Sequence, residues 1–91
     1  MCRSGGPRPD PFRDRTSIDF TLEHAGPATL DVFDVRGAFV ARLADDVWAA
    51  GPHSVAWDGR DARGRRVAAG LYLLRLNAAE ASITLRVVRV Q

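Results

Sequence analysis

Apolar and polar residues alternate with a period of two in several short stretches of the chain. In residues 16–22, Ile18, Phe20 and Leu22 alternate with polar side chains, and Leu30 and Val32 continue the pattern further along. Alternation of this kind places one set of side chains on one face of a β-strand. Each stretch therefore predicts a strand with one buried face.

Glycine, proline and aspartate interrupt this alternation and mark turns. Residues 26–27 end the first strand, residues 34–37 have the composition of a hairpin turn, and residues 51–52 mark another turn. Asp45 and Asp46 are expected to end the strand that returns from the hairpin turn at residues 34–37. Later strands are predicted at residues 39–43, 53–57, 66–68, 71–76 and 82–90.

Six or seven short strands without a helical period favour an all-β fold, an antiparallel β-sandwich of about seven strands. A small barrel is the alternative closure of such strands. Residues 71–76 are apolar on both faces except at Arg75, so this stretch is predicted to lie in the middle of a sheet. A chain of 91 residues suits one domain with one modest core.

Residues 1–15 are predicted to form a flexible linker, and residues 16–91 to form the domain. Glycine and proline dominate residues 5–11, and proline removes donors from any strand ladder. Phe12 is the first apolar residue after this run. It is expected either to pack against the edge of the domain or to remain exposed.

A structural motif connects two predicted strands. Trp57 is expected to anchor the core and to direct its indole N–H toward a loop carbonyl. The turn that follows is rich in aspartate, which can accept bonds from local amides, and in glycine, which tolerates positive φ. Tyr72 resembles the tyrosine corner of immunoglobulin sandwiches, in which the hydroxyl ties an incoming connection to the sheet. The motif consists of Trp57, Asp58, Gly59, Asp61, Gly64, Gly70 and Tyr72.

Composition and charge exclude several classes of function. The formal net charge is +2, and the 13 basic residues are all arginine and scattered along the chain, so no nucleic-acid partner is predicted. No apolar stretch is long enough to span a membrane, and residues 1–15 lack the apolar core of a secretory signal. Cys2 is the single cysteine, so an intrachain disulfide is impossible.

The aspartates and histidines that could bind a metal or take part in catalysis are explained more simply by structural roles. Aspartates of the turns could gather around calcium, but the spacing lacks the pattern of an EF-hand, and turn-forming carboxylates facing arginines are expected instead. His24 and His53 are predicted to face solvent, and with only Cys2 beside them they cannot assemble a zinc site. No activating motif surrounds a nucleophile, so neither a cofactor nor enzyme activity is expected. The aspartates concerned are Asp45, Asp46, Asp58 and Asp61.

The order and spacing of several segments closely resemble the FlgD immunoglobulin-like domain family. The resemblance covers about residues 9–91. It is carried by residues 9–12, 16–22, 28–37, 57–61, 69–72 and 87–90, together with Gly64 and Val67.

This resemblance implies an immunoglobulin or fibronectin III-like sandwich, found in the flagellar hook-capping protein and as the C-terminal module of large secreted or surface bacterial proteins. We therefore expect a noncatalytic structural or interaction module, linked to upstream domains and located outside the cell or on its surface. Its partner would be a surface protein or secretion machinery. The alternatives are a C-terminal sorting signal, as in type IX secretion, and a hook-assembly domain. The chain lacks the long N-terminal region of a hook-capping protein, which favours a terminal module.

Overall fold

A computed structural model of the chain describes residues 2–79 and 81–91, and the side chains from residue 5 onward. Seven antiparallel strands form two sheets. The strands are β1 (Cys2–Arg8), β2 (Thr16–Leu22), β3 (Gly26–Asp34), β4 (Phe39–Trp48), β5 (Gly51–Trp57), β6 (Gly70–Ala78) and β7 (Ser82–Arg89). The predicted all-β sandwich is confirmed.

The two sheets pack face to face around one core. One sheet has the strand order β1-β2-β5 and the other has the order β4-β3-β6-β7. In β2, β3, β6 and β7, alternating apolar residues point inward, as the period of two predicts. β6 lies between β3 and β7, which confirms its predicted central position. The core consists of Phe12, Ile18, Phe20, Leu22, Ala28, Leu30, Val32, Trp57, Tyr72, Leu74, Leu76 and Val87.

The N-terminal segment differs from the flexible linker predicted over residues 1–15. Residues 2–8 form β1, which pairs with β2 and accommodates its glycines in a register shift between Ser4 and Gly6. Pro7 is tolerated because β1 is an edge strand, where a missing donor costs no ladder bond. Phe12 is 1% exposed, so it belongs to the core.

β4 continues through the two aspartates that were expected to interrupt it. Asp45 pairs with Thr29 and Asp46 pairs with Ala28, so the strand extends to Trp48. Both aspartates lie exposed on an edge strand, where charged side chains are well solvated. The predicted break is therefore wrong, because an exposed edge accepts charge within a strand.

The segment after β1 closes the outer edge of β7. The backbone N–H of Phe12 donates to the Val88 carbonyl at 2.9 Å, and the N–H of Val90 donates to the Phe12 carbonyl at 2.8 Å. The Val88 N–H donates to Oδ1 of Asp10, also at 2.9 Å. The chain thus joins residues 10–12 to the C-terminal end of its last strand.

Within the described residues, no helix has the length and apolar character needed to cross a bilayer.

Candidate functional site

Trp57 ends β5 at the centre of an aromatic cluster. Its side chain is 1% exposed, and its Nε1–H donates to the Arg60 carbonyl at 2.9 Å. The ring centroids of Phe12 and Tyr72 each lie 5.3 Å from that of Trp57, in tilted and edge-on geometry. These are favoured arrangements for aromatic pairs. The indole therefore lies in the core and directs its polar end into the following loop, as the sequence predicts.

That loop, residues 58–69, is held by its own aspartates. Asp61 Oδ1 accepts hydrogen bonds from the backbone N–H groups of Arg65 at 3.0 Å and Arg63 at 2.9 Å. These bonds, the Arg65 bond foremost, hold the pKa of the Asp61 carboxyl below its ordinary value. Asp58 Oδ1 accepts the N–H of Arg60 at 3.2 Å in the same manner. Both aspartates thus take the local structural role that the turn composition indicates.

Glycine permits the backbone of this loop at two positions. Gly59 and Gly64 have φ values of +72° and +82°, in the region that residues with a Cβ rarely adopt. The Gly64 N–H donates to the Asp61 carbonyl at 2.9 Å, and the Asp61 N–H donates to the Arg65 carbonyl at 2.8 Å. The loop is consequently a compact series of hydrogen-bonded turns.

Tyr72 fastens the end of this loop to the four-stranded sheet. It follows Gly70, the first residue of β6, and its hydroxyl donates to the Ala68 carbonyl at 2.6 Å. Burial raises the pKa of the Tyr72 phenol, because the ionised form would lose its hydration. This bond reaches four residues back along the chain, which is the connection that a tyrosine corner makes.

Arg89 is a further residue of the site that was not predicted from the sequence. Its side chain is 7% exposed, and its Nη1 donates to the Val67 carbonyl at 2.9 Å. Its Nε is buried and forms no hydrogen bond with the described residues. The alternation of residues in β7 could have indicated that Arg89 is buried, because Arg89 occupies the same inward face as Val87. A buried guanidinium therefore links the last strand to the loop.

The aspartates considered for calcium do not converge on one point. Asp45 forms an ion pair with Arg42 at 3.4 Å, and Asp46 Oδ1 accepts the adjacent Val47 N–H at 2.8 Å. Asp58 and Asp61 accept bonds from their own loop. Across residues 5–79 and 81–91, no three histidine, cysteine, aspartate or glutamate side chains are grouped as metal ligands.

The two histidines have different environments. His24 is exposed, as predicted. His53 is half-buried, so its predicted solvent exposure is wrong. Its ring lies 4.9 Å from that of Trp48 and 5.5 Å from that of Phe20, and its Nε2 is 2.6 Å from the Ala49 carbonyl. The inward face of β5 imposes this position, because His53 pairs across the strands with the core residue Phe20.

An open groove with a volume of about 620 Å³ lies beside His53. Thr21 and Ser54 contribute hydroxyls to its lining. The imidazole Nε2 is hydrogen-bonded to the Ala49 carbonyl instead of to either hydroxyl.

Comparison with known proteins identifies both the fold and the family. A family model described as the FlgD Ig-like domain matches residues 12–82, more than half of the chain. The search of curated proteins found no match.

Three solved structures share the architecture. The chain aligns over 99% of its length with 9% of dimeric latent PorU from Porphyromonas gingivalis, with a TM-score of 0.77 and 16% identity. FlgD from P. aeruginosa aligns with 82% of this chain over 60% of its own length, with a TM-score of 0.65 and 24% identity. FlgD from Xanthomonas campestris, described in relation to hook capping in flagellar assembly, aligns with 97% of this chain over 66% of its own length, with a TM-score of 0.66 and 28% identity.

This chain spans less than two thirds of the length of each of these three proteins. The likeness to PorU and to P. aeruginosa FlgD establishes a shared fold. Together with the family model, which covers the aromatic cluster and the loop of residues 58–69, it shows that the chain belongs to the FlgD Ig-like domain family.

Proposed function

We propose that this chain acts as a noncatalytic structural and interaction module, the C-terminal domain of a larger extracellular or cell-surface bacterial protein. One observation carries the proposal: nearly the whole chain aligns with 9% of the much longer PorU chain. A domain that recurs as a small part of a large protein is suited to spacing, capping or contacting other domains.

The use of the side chains in the structure supports a noncatalytic role. The polar groups of Trp57, Asp61 and Tyr72 are directed at backbone atoms of the loop of residues 58–69. Groups engaged in this way stabilise a connection between the two sheets. Because the polar groups of this motif stabilise the loop, we assign the function of the domain to its surfaces.

Hook assembly is the second candidate, and a specific likeness favours it. FlgD from X. campestris aligns with 97% of this chain at 28% identity. A hook-assembly domain would act within a flagellar structure, whereas a terminal module would remain attached to a large surface protein. The two proposals therefore differ in the mass and the location of the native polypeptide.

Antibodies raised against the domain test these proposals in fractionated cells of the organism that encodes it. A terminal module predicts a band much heavier than the 9.9 kDa of the chain, accessible to protease on intact cells. A band in purified hooks, with motility lost on deletion of the gene, would favour hook assembly. A protease-protected band of 9.9 kDa would contradict both proposals.

A sorting role requires a test that leaves the sandwich intact. Deleting residues 82–91 would remove one of the two partner strands of β6 and the buried side chains of Val87 and Arg89. Substitution of the outward-facing Thr84 to Glu is better suited, because that side chain lies on the exposed face of β7. If export of a fused reporter fails with Thr84→Glu but proceeds with Ser17→Glu on the other sheet, a sorting signal on β7 is supported. Equal export of both variants would count against it.

A further inference from the structure

The outer face of the four-stranded sheet carries a row of side chains in register across all four strands. Phe39 of β4 pairs with Phe33 of β3, Phe33 pairs with Leu73 of β6, and Leu73 pairs with Arg86 of β7. The two phenylalanine rings meet edge-on, with centroids 6.1 Å apart. Phe39 is 54% exposed despite its size. Three apolar side chains therefore form a continuous strip that ends at a cation.

Further exposed apolar residues surround this strip. Val88 lies on the same face, because its neighbours in β7 point into the core, and Val35 lies in the hairpin turn between Phe33 and Phe39. Among the described residues, most of the large apolar side chains that are exposed lie at this end of the sheet, whereas Val47 lies near the far end of β4. Clustered apolar exposure is typical of an interaction surface.

Positive charge accompanies the apolar strip. The guanidinium carbon of Arg75 lies 5.3 Å from the ring centroid of Phe33, in cation–π geometry. Asp31 faces Arg75 across the strands, but its carboxylate is bonded to Arg42 at 2.8 Å and 3.1 Å. Within the described residues, neither Arg75 nor Arg86 forms an ion pair with a carboxylate. The face consequently presents two cations that an acidic partner could neutralise.

We propose that this aromatic–arginine face binds an acidic segment of a partner protein in which carboxylates flank an aromatic or aliphatic side chain. This inference rests on the proposed role as an interaction module. The carboxylates pair with Arg75 and Arg86, and the apolar side chain covers the two phenylalanines beside a cavity of about 90 Å³. Aromatic residues and arginine are the side chains that contribute most to protein interfaces. The face consists of Phe33, Phe39, Leu73, Arg75, Arg86 and Val88.

A pair of labelled peptides tests the proposal by fluorescence anisotropy with the intact chain. In one peptide Asp alternates with Phe, and in the other Arg replaces every Asp. We expect the acidic peptide to bind at least about tenfold more tightly, because complementary charge favours it and like charge disfavours the other. The NMR chemical shifts of backbone amides in β3, β4, β6 and β7 should change when the acidic peptide binds.

Matched variants locate the binding surface. Arg86→Glu and Phe39→Ala should each weaken binding of the acidic peptide by about tenfold or more. Arg8→Glu and Val47→Ala should change it by less than about twofold, because Arg8 lies exposed in the other sheet and Val47 lies near the far end of β4. Circular dichroism and urea unfolding establish that all four variants are folded.

Several results would overturn the proposal. These are absent binding, equal binding of the two peptides, and equal effects of the face and control variants. Self-association that Phe39→Ala abolishes, without peptide binding, would assign the face to a second copy of the chain. The proposed terminal-module function is judged separately by the mass and location of the native polypeptide, so failure of one is distinguishable from failure of the other.

Discussion

Gly59 and Arg89 fit together so closely that a Cβ built on the glycine would lie 3.0 Å from the arginine Nε. The same Cβ would lie 3.3 Å from the arginine Cδ and 3.5 Å from Phe12. Arg89 is buried and bonded to the Val67 carbonyl, which restricts its freedom to move away. The loop after β5 and the end of β7 therefore constrain each other.

Substitution of Gly59 by alanine should destabilise the domain more than substitution of Gly64. Both glycines have positive φ, so each alanine incurs a backbone cost of about 1–2 kcal/mol. Only Gly59 adds a steric conflict, because no atom lies within 4 Å of a Cβ at Gly64. Urea unfolding of the two variants measures the difference. Equal losses of unfolding free energy in the two variants would show that the Arg89 side chain moves aside freely.

Removal of the Trp57 side chain should reduce the free energy of unfolding by about 3–5 kcal/mol, as for other large aromatic residues in cores. Trp57→Phe should have a smaller effect, because it retains a ring between Phe12 and Tyr72 but loses the bond to the Arg60 carbonyl. Denaturant titration gives both values. A loss below about 1 kcal/mol for Trp57→Ala, the scale of surface substitutions, would contradict the role of Trp57 as core anchor.

Replacement of Tyr72 by phenylalanine should lower stability by about 1 kcal/mol, because the bond to the Ala68 carbonyl is lost. Burial raises the pKa of Tyr72 in the folded state above its value in the unfolded chain. The protonated phenol therefore contributes its full stabilisation at pH values below the unfolded-state pKa. This stabilisation is lost as pH rises through the folded-state pKa. Tyr72 is the single tyrosine, so absorbance titration reports it directly. A midpoint at or below the pKa of free tyrosine would contradict the burial argument.

Acid should weaken the domain partly through Asp34 and Asp61. The Ala38 N–H lowers the folded-state pKa of Asp34, and the Arg65 N–H does the same for Asp61. The unfolded chain therefore takes up protons first, so the stabilisation is present above pH 3.8 and is lost as pH falls through the folded values. Asp34→Asn and Asp61→Asn should each flatten the acid limb of a stability profile. Unchanged slopes would exclude these carboxylates as its source.

Local patterns in the sequence predicted much of the fold because they act over a few residues. The period of two in β2 identified Ile18 and Phe20 as core residues, and both are buried. Aspartate and glycine likewise marked the loop of residues 58–69. Trp57 was recognisable because its burial removes a large aromatic area from water while the following turn offers a carbonyl to the indole N–H.

The remaining features depend on partners that are distant along the chain. β1 is paired because β2 offers an open edge, and nothing in its glycines and proline indicates this. Arg89 is buried because the Val67 carbonyl and the space beside Gly59 accommodate it. His53 is covered by Trp48. Such contacts arise from sheet packing, which local patterns of residues do not reveal.

The bonds between residues 10–12 and the end of β7 have a consequence for biosynthesis. A ribosome makes Phe12 well before the carbonyl of Val88 and the amide of Val90, its backbone partners. The emerging polypeptide thus cannot close this side of the sandwich until residues 88–90 have left the exit tunnel. The domain therefore matures only after β7 has been synthesised.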